Sequence, residues 1–228
     1  MKKTPCALIL LSLLLSLPFL LSSHVISAGA QALWKSGGVE VCGEAEDQIS
    51  AKIISDGEGG AIIVWMDYRN ENIDLFAQKI GSDGKKLWTT AGEPICVVPY
   101  LQWWQEIASD GEGGAIIVWT HDNDDTQFRR DIRAQRIDKT GDVRWTQNGI
   151  IVSDGIPNDQ ALPKVASDGS GGALVVWHDH RSSDYDIYAQ RINENGESQW
   201  TANGVLLTGA WDQTFDAGGI RSARSELL

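Results

Sequence analysis

Three short apolar runs that each end in tryptophan recur along the chain. They span residues 61–65, 115–119 and 173–177. None of them alternates apolar with polar positions, and an unbroken run of this length predicts a β-strand buried on both faces. After a polar loop, small or apolar residues alternate with larger polar ones over residues 74–80, 131–137 and 186–192. That alternation predicts a second, half-exposed strand.

Glycine-rich turns separate the predicted strands. The motif Ser-Asp-Gly-x-Gly-Gly stands before each apolar run and begins at Ser55, Ser109 and Ser167. Its glycines permit positive φ, which predicts a tight hairpin between the apolar run and a short strand before it. A second turn follows the alternating segment and carries Gly84, Gly141 and Gly196. A fourth strand is predicted after that turn.

A tryptophan marks the start of the fourth strand in every unit. It recurs at Trp34, Trp88, Trp145 and Trp200, about 55 residues apart. Four antiparallel strands per unit, repeated in tandem, predict an all-β, β-propeller-type array of four-stranded antiparallel blades. Another stacked β-array is the alternative. We predict three complete units, at residues 48–97, 102–153 and 160–208, after a lone N-terminal strand.

The number of units bears on assembly. Closed propellers have roughly four to eight blades, so three units predict an incomplete array. Open terminal blades leave sheet faces and edges without partners, which predicts self-association through those blades. Residues 216–228 depart from the repeat and are predicted to form a disordered tail.

The repeat unit is fullest over residues 167–200. It reads Ser-Asp-Gly-x-Gly-Gly-Ala, then Val-Trp-x-Asp-x-Arg, Asp-Ile-Tyr-Ala-Gln-Arg-Ile, Gly and Trp. This unit resembles the tandem β-propeller-like repeats of large secreted bacterial proteins, most of them of unassigned function. The resemblance covers about residues 33–215. It implies the architecture, and it implies no catalytic residue.

Residues 1–32 carry the pattern of a secretory signal peptide. Lys2 and Lys3 precede an apolar run at residues 7–21, and the small residues around Ala30 fit a cleavage site. The run is shorter than the roughly 20 residues that span a bilayer, which disfavours the alternative of a membrane anchor. We therefore predict a protein that is secreted, extracellular or at the cell surface, with the periplasm as the alternative. No integral membrane segment is predicted after cleavage.

Charge and cysteine spacing each exclude one class of interaction. A formal net charge of −12 argues against a nucleic-acid partner, because phosphate binding needs a basic surface. Cys42 and Cys96 take equivalent places in adjacent units. Equivalent places lie a blade width apart, whereas the Cα atoms of a disulfide lie within about 7 Å of each other. Both cysteines are therefore predicted to be free and buried.

Length variation along the repeat is confined to one face of the predicted array. The loop between the second and third strands varies in length, and so does the crossing between units. In an antiparallel meander both lie on the same side, and variable loops on a fixed scaffold are where binding usually resides. We call this side the loop face. Asp67 with Arg69, and Asp179 with Arg181, are predicted to brace its loops.

Aromatic and histidine side chains are the candidate binding residues on the loop face. Trp103 and Trp104 stand where other units carry Ile-Ser and Ala-Leu, and an exposed indole there would stack on a sugar or a peptide aromatic. Packing between blades is the alternative role, and in an extended segment the two rings point to opposite sides. His178 and His180 are further candidates, for a ligand or for a transition metal that would still need a third protein ligand.

Carboxylates of the second unit form the candidate metal site. Asp122, Asp124 and Asp125 lie in one loop, and carboxylate oxygens are ligands that calcium prefers. The loop lacks the spacing, the glycine and the glutamate of an EF-hand, so bracing of the loop is the alternative role. Apart from calcium, no cofactor is predicted.

The sequence contains no recognisable catalytic motif. It has no Gly-x-Ser-x-Gly turn and no phosphate-binding loop. We therefore predict a secreted or cell-surface repeat module for binding or scaffolding, without catalysis, whose ligand is a protein or a carbohydrate. The alternative is a carbohydrate-active propeller, a glycoside hydrolase or lyase or a truncated remnant of one, because acidic residues are plentiful enough to supply a carboxylate pair.

Overall fold

The computed structural model describes residues 34, 36–123, 129–153 and 159–208. Strands β1 to β4 span Gln48–Ser55, Ala61–Asp67, Asp74–Ile80 and Glu93–Cys96. Strands β5 to β8 span Gln102–Ser109, Ala115–Asp122, Arg130–Ile137 and Ile150–Ser153. Strands β9 to β12 span Gln160–Ser167, Ala173–Asp179, Asp186–Ile192 and Val205–Thr208. Over these ranges, no helix is long and apolar enough to cross a membrane.

Each group of four strands forms one antiparallel sheet in which neighbours in sequence are neighbours in space. We call the sheets blade 1, blade 2 and blade 3 in chain order. The second and third strands of each blade pair in unbroken register, from Ala61 opposite Ile80 to Asp67 opposite Asp74 in blade 1. The predicted propeller-type fold of four-stranded blades is therefore confirmed.

The second strand of a blade packs against both neighbouring blades, which explains why its sequence does not alternate. In blade 2, Ile117 of β6 faces blade 1 and packs in one core with Val64. The preceding residue, Ile116, faces blade 3 and packs in a second core with Val175. In the described part of the chain no blade follows blade 3, and Leu174 of β10 is exposed on that outer side.

Repeated tryptophans connect each blade to the next. The following blade has a turn after its third strand, and each indole lies against the glycine of that turn. The indole Nε1 also donates a hydrogen bond to the backbone carbonyl two residues before the glycine. The pairs are Trp34 with Gly84, Trp88 with Gly141, and Trp145 with Gly196. The three N···O distances are 3.0, 3.2 and 3.0 Å. A Cβ on Gly196 would lie 2.9 Å from Cγ of Trp145, so the contact requires glycine.

The predicted lone strand at the N-terminus does not form. Residues 36–47 make turns, bends and irregular backbone. A strand needs a neighbour with which to share backbone hydrogen bonds, and the described residues contain no preceding blade to supply one. Val41 and Cys42 nonetheless pack on blade 1, beside Trp65 and Phe76.

Cys42 and Cys96 are both free, as predicted. Cys96 is fully buried. Burial raises the pKa of its thiol to about 12. The negative charge of Asp74 also raises this pKa, and the positive charge of Arg133 lowers it. Cys42 is only half-buried, because its segment is not part of a blade, and its Sγ lies 3.3 Å from Nη2 of Arg69. A thiol held neutral, as that of Cys96 is, does not act as a nucleophile.

The Ser-Asp-Gly-x-Gly-Gly motif closes the first hairpin of each blade and has a structural role. In blade 2, Oδ1 of Asp110 accepts hydrogen bonds from the backbone N–H groups of Glu112 and Gly114, both at 2.8 Å. A Cβ on Gly114 would lie 2.3 Å from the carbonyl oxygen of Ile137, so that position requires glycine. The same bonds recur at Asp56 and Asp168.

The first strands of the three blades, β1, β5 and β9, lie side by side, and each carries a β-bulge at the same place. One residue in each bulge has a left-handed backbone, with φ of 55° at Ser50, 50° at Trp104 and 55° at Leu162. Such a conformation costs about 1–3 kcal/mol in a residue other than glycine and is concentrated at functional sites. The three bulges surround a pocket at the centre of the array.

Candidate binding site

The axial pocket lies between the first strands of the three blades and has a volume of about 440 Å³. Its lining comes from all three bulges, and one residue of β2 joins them. The lining residues are Ser50, Lys52, Met66, Trp103, Trp104, Gln105, Glu106, Leu162, Pro163 and Lys164. Because the bulges lie near the starts of the first strands, the pocket is on the loop face.

One carboxylate and two ammonium groups form the charged part of the pocket. Glu106 of β5 accepts a hydrogen bond from Nζ of Lys52 at 3.2 Å and another from Nζ of Lys164. Burial opposes ionisation of Glu106, but the two lysines outweigh it and hold the pKa of its carboxyl below the usual range. Two cations against one anion leave the lining positive in a chain whose net charge is −12.

Trp103 and Trp104 form the aromatic wall of the pocket. The left-handed backbone at Trp104 interrupts the alternation of the strand, so the two side chains do not point to opposite sides as an extended segment predicts. Their ring centroids are 6.3 Å apart. Trp103 is half-buried against the core between blades 1 and 2. Trp104 is 42% exposed. Trp103 therefore packs between blades, and stacking of a ligand on Trp104 stays a prediction.

An arginine held by two carboxylates lies beside the aromatic wall. Arg130 pairs through Nε with Asp122 at 3.0 Å and through Nη1 with Asp159 at 3.2 Å. Its guanidinium lies 5.3 Å from the ring centroid of Trp104. Asp122 also accepts a hydrogen bond from Nε1 of Trp103 at 3.1 Å. These contacts fix both indoles relative to the loop face.

His178 and His180 lie outside the lining of the axial pocket. His180 stacks on Tyr185 with ring centroids 4.6 Å apart, and its Nε2 lies 3.1 Å from the carbonyl oxygen of Ser183. The ring of His178 lies 6.2 Å from the same tyrosine. Across the residues that the structure describes, no group of three or more His, Cys, Asp or Glu side chains is placed to hold a metal ion.

The candidate calcium loop is only partly described. Asp122 uses Oδ1 for Arg130 and Oδ2 for Trp103. Asp124 and Asp125 lie outside the described residues. A calcium site in this loop therefore stays a prediction.

A tryptophan, an aspartate and an arginine form a buried group in blades 1 and 3. Nε1 of Trp65 donates to Oδ2 of Asp67 at 2.8 Å, and Nε of Arg69 donates to Oδ1 at 2.8 Å. The guanidinium of Arg69 lies 3.9 Å from the ring centroid of Phe76. Blade 3 repeats the group with Trp177, Asp179, Arg181 and Tyr188. The aspartates thus brace the loops, as the sequence indicated.

Blade 2 departs from this group at three positions. The tryptophan is kept as Trp119, but His121 replaces the aspartate and Asn123 replaces the arginine. An arginine, Arg133, stands instead at the position of Phe76 and Tyr188. The sequence signal for this difference is the departure of the second unit from Val-Trp-x-Asp-x-Arg, which the predictions above did not use.

The buried His121 is expected to make the protein sensitive to mild acid. Burial, assisted by Arg133, lowers the pKa of His121 from 6.5 to about 4. Gln102 of β5 lies 3.4 Å from its Nδ1, and Asp131 of β7 stands opposite it in register. The pKa of His121 is about 6.5 in the unfolded chain and about 4 in the folded protein. Between these two values the unfolded chain binds a proton and the folded protein does not, so the free energy of unfolding decreases as the pH falls below 6.5.

We therefore expect the free energy of unfolding to fall by about 2–3 kcal/mol between pH 7 and pH 4.5. Urea unfolding at pH 7.0, 5.5 and 4.5 measures this change. The His121→Gln variant serves as the control, because it keeps a polar side chain but removes the titration. Equal pH dependence in the two proteins would contradict the assignment to His121.

No family model matches the chain, and no curated protein matches it. Several solved structures resemble its fold, among them these three. An endo-arabinase from Bacteroides thetaiotaomicron VPI-5482 is 14% identical, with 72% of this chain and 63% of that chain covered and a TM-score of 0.48. An α-L-arabinofuranosidase from Lactobacillus brevis is 8% identical, with coverages of 61% and 48% and a TM-score of 0.38. A third, α-L-arabinofuranosidase CtGH43 from Clostridium thermocellum ATCC 27405, is 15% identical, with coverages of 74% and 57% and a TM-score of 0.39. The chain thus spans less than two thirds of the length of each of these proteins.

Proposed function

We propose that the protein is a repeat module that binds a saccharide in the axial pocket without cleaving it. The observation that carries this proposal is the exposed indole of Trp104, held at the pocket by a left-handed bulge. An aromatic ring that offers one open face, with polar groups beside it, suits the apolar face and the hydroxyl groups of a sugar ring. Glu106, Lys52 and Lys164 supply those polar groups.

The charged groups of the pocket favour binding over hydrolysis. Glycoside hydrolases generally use two carboxyl groups, one as acid and one as base or nucleophile. Within the described lining, Glu106 is the carboxylate, and it is already paired with two lysines. A glycoside hydrolase or lyase is the second candidate. The names of the solved structures, endo-arabinase and α-L-arabinofuranosidase, make an arabinose polymer a natural first probe of either function.

Location, assembly and calcium belong to the same proposal. A secreted or cell-surface location follows from the signal-peptide pattern of residues 1–32. The outer side of blade 3 exposes Leu174, Leu207 and Trp200, whose counterparts in blade 2 are buried. We propose that self-association occurs there. Calcium at Asp122, Asp124 and Asp125 stays part of the proposal.

Substitution of Trp104 tests saccharide binding. In affinity electrophoresis through gels that contain arabinan, xylan or polygalacturonan, we expect at least one polymer to retard the protein. Trp104→Ala should weaken that retardation about tenfold, since stacking on an aromatic ring is worth roughly 1 kcal/mol or more beyond the area it buries. Trp200→Ala is the matched control, because Trp200 is about equally exposed but does not line the pocket.

Two results would count against this function. Equal loss of retardation in the two variants, or no retardation by any polymer, would remove the axial pocket as a saccharide site. Release of reducing ends from the same polymers would show that the protein is a glycoside hydrolase and not only a binding module. Loss of that release in Glu106→Gln would assign the activity to the axial pocket.

A further inference from the structure

We infer that blade 2 contains a binding site for a small carboxylate anion, between the indole N–H of Trp119 and the guanidinium of Arg133. The site is separate from the axial pocket and does not depend on the function proposed for it. It rests on a comparison of the same position in the three blades.

Blades 1 and 3 show what the position binds. In blade 3 the carboxylate of Asp179 lies between two donors: Oδ2 accepts from Nε1 of Trp177 at 2.9 Å, and Oδ1 accepts from Nε of Arg181 at 2.8 Å. The guanidinium also lies 3.6 Å from the ring centroid of Tyr188. A planar anion with two oxygens is therefore the group that an indole and a guanidinium hold at this place in the fold.

Blade 2 keeps both donors but supplies the guanidinium from another strand. Arg133 of β7 stands directly opposite Trp119 of β6, as Tyr188 stands opposite Trp177. Because the guanidinium of Arg181 lies on the Tyr188 ring, a guanidinium that replaces this ring reaches the same region. The charge of Arg133 acts on Cys96. That cysteine is equivalent to Cys42, which contacts Arg69 in blade 1.

The donors of blade 2 are not matched by an acceptor. Trp119 is fully buried, and among the described residues its Nε1 has no hydrogen-bond partner. The same holds for the buried Nε of Arg133. His121 stands at the aspartate position, but its Nδ1 lies toward Gln102 on β5, and burial keeps the ring neutral by lowering its pKa. Two buried donors beside a positive charge are costly unless they bind an acceptor, and an acceptor of negative charge suits them best.

The surroundings admit such an anion. Arg133 is only partly buried, so solvent reaches part of its side chain. Asp131 lies nearby, opposite His121. Its counterpart in blade 1, Asp74, lies near enough to Asp67 for the two charges to interact. The carboxylate of Asp131 is thus compatible with a bound carboxylate anion between Nε1 of Trp119 and the guanidinium of Arg133.

Formate is the probe that tests the site. At pH 8 and constant ionic strength, we expect sodium formate to raise the midpoint of thermal unfolding saturably, by about 3 °C or more once formate exceeds its dissociation constant tenfold. Saturation transfer from the protein to the formate proton, followed by NMR, reports binding directly. Sodium chloride and sodium sulfate at the same ionic strength separate a carboxylate site from a halide site and from a general salt effect.

Two variants locate the site. His121→Asp places a carboxylate where blades 1 and 3 have one, so it should raise the midpoint in plain buffer and abolish the formate effect. Arg133→Gln should abolish both the formate shift and the saturation transfer, and it tests the site even if His121→Asp does not fold. Lys85→Gln removes an exposed cation of blade 1 and should leave both signals unchanged.

Other outcomes would overturn the inference. An equal midpoint shift by formate in wild type and in Arg133→Gln would reduce it to a salt effect. Saturation transfer that survives Arg133→Gln would place the anion elsewhere. A saturable shift by chloride but not by formate would contradict a carboxylate site.

Discussion

Replacing Trp145 by alanine is expected to lower the free energy of unfolding by about 3–5 kcal/mol. Trp145 is only 7% exposed and lies in the core between blades 2 and 3. Its ring contacts Gly196, and its Nε1 donates to the carbonyl of Glu194 at 3.0 Å. The truncation leaves a cavity in the contact between two blades, and glycine at position 196 has no side chain with which to fill it. Urea unfolding followed by far-ultraviolet circular dichroism measures the loss.

The matched control is Trp200→Ala. Trp200 takes the same place in the repeat, but it is 40% exposed. We expect its truncation to cost about 1 kcal/mol or less, because little apolar area is returned to water. A comparable loss in the two variants would show that the ring acts within its own blade and not as a connection to the next one.

Replacing Asp179 by alanine is expected to destabilise the protein by about 3 kcal/mol or more. Its carboxylate is fully buried and accepts hydrogen bonds from Nε1 of Trp177 and from Arg181. Burial opposes its ionisation, but these donors outweigh burial and lower the pKa of Asp179. Removal of the carboxylate leaves a buried indole N–H and a largely buried guanidinium without their acceptor, which costs more than the intact pair contributes. Thermal and urea unfolding both report this change.

Asp83→Ala provides the contrast for Asp179→Ala. Asp83 pairs with Lys85 at 2.6 Å, but both side chains are exposed. Exposed pairs contribute little because water solvates the separated charges almost as well. We expect the urea midpoint of Asp83→Ala to stay close to that of the wild type. A loss equal to that of Asp179→Ala would mean that burial does not determine the cost.

The sequence predicted the blade itself because the signals are local. Apolar runs, alternating segments and glycine turns lie within a single unit of about 55 residues, and each depends on chemistry between neighbours in the chain. The bracing by Asp67 and Asp179 follows from the same kind of signal. The free Cys42 and Cys96 follow instead from their equivalent places in adjacent units. The exception is the lone N-terminal strand, whose pattern is present but for which the described residues contain no pairing partner.

The tertiary structure decided where a ligand is expected to bind. Lys52 and Lys164 lie 54 and 58 positions from Glu106 in the chain, and they meet only because the first strands of three blades converge. No periodicity predicts the bulge that turns Trp104 toward the pocket, since it is a local break in the strand pattern. Likewise, Arg133 stands opposite Trp119 only because β6 and β7 pair in this register, which no local signal in the sequence fixes.

The sequence by itself therefore determined the repeat, its strands and its turns, because these depend on side chains close together along the chain. It indicated the loop face as the place for binding, because only there does the length of the repeat vary. The tertiary structure formed the axial pocket on that face and revealed the unmatched donors of blade 2, because both depend on contacts between residues that are distant in sequence.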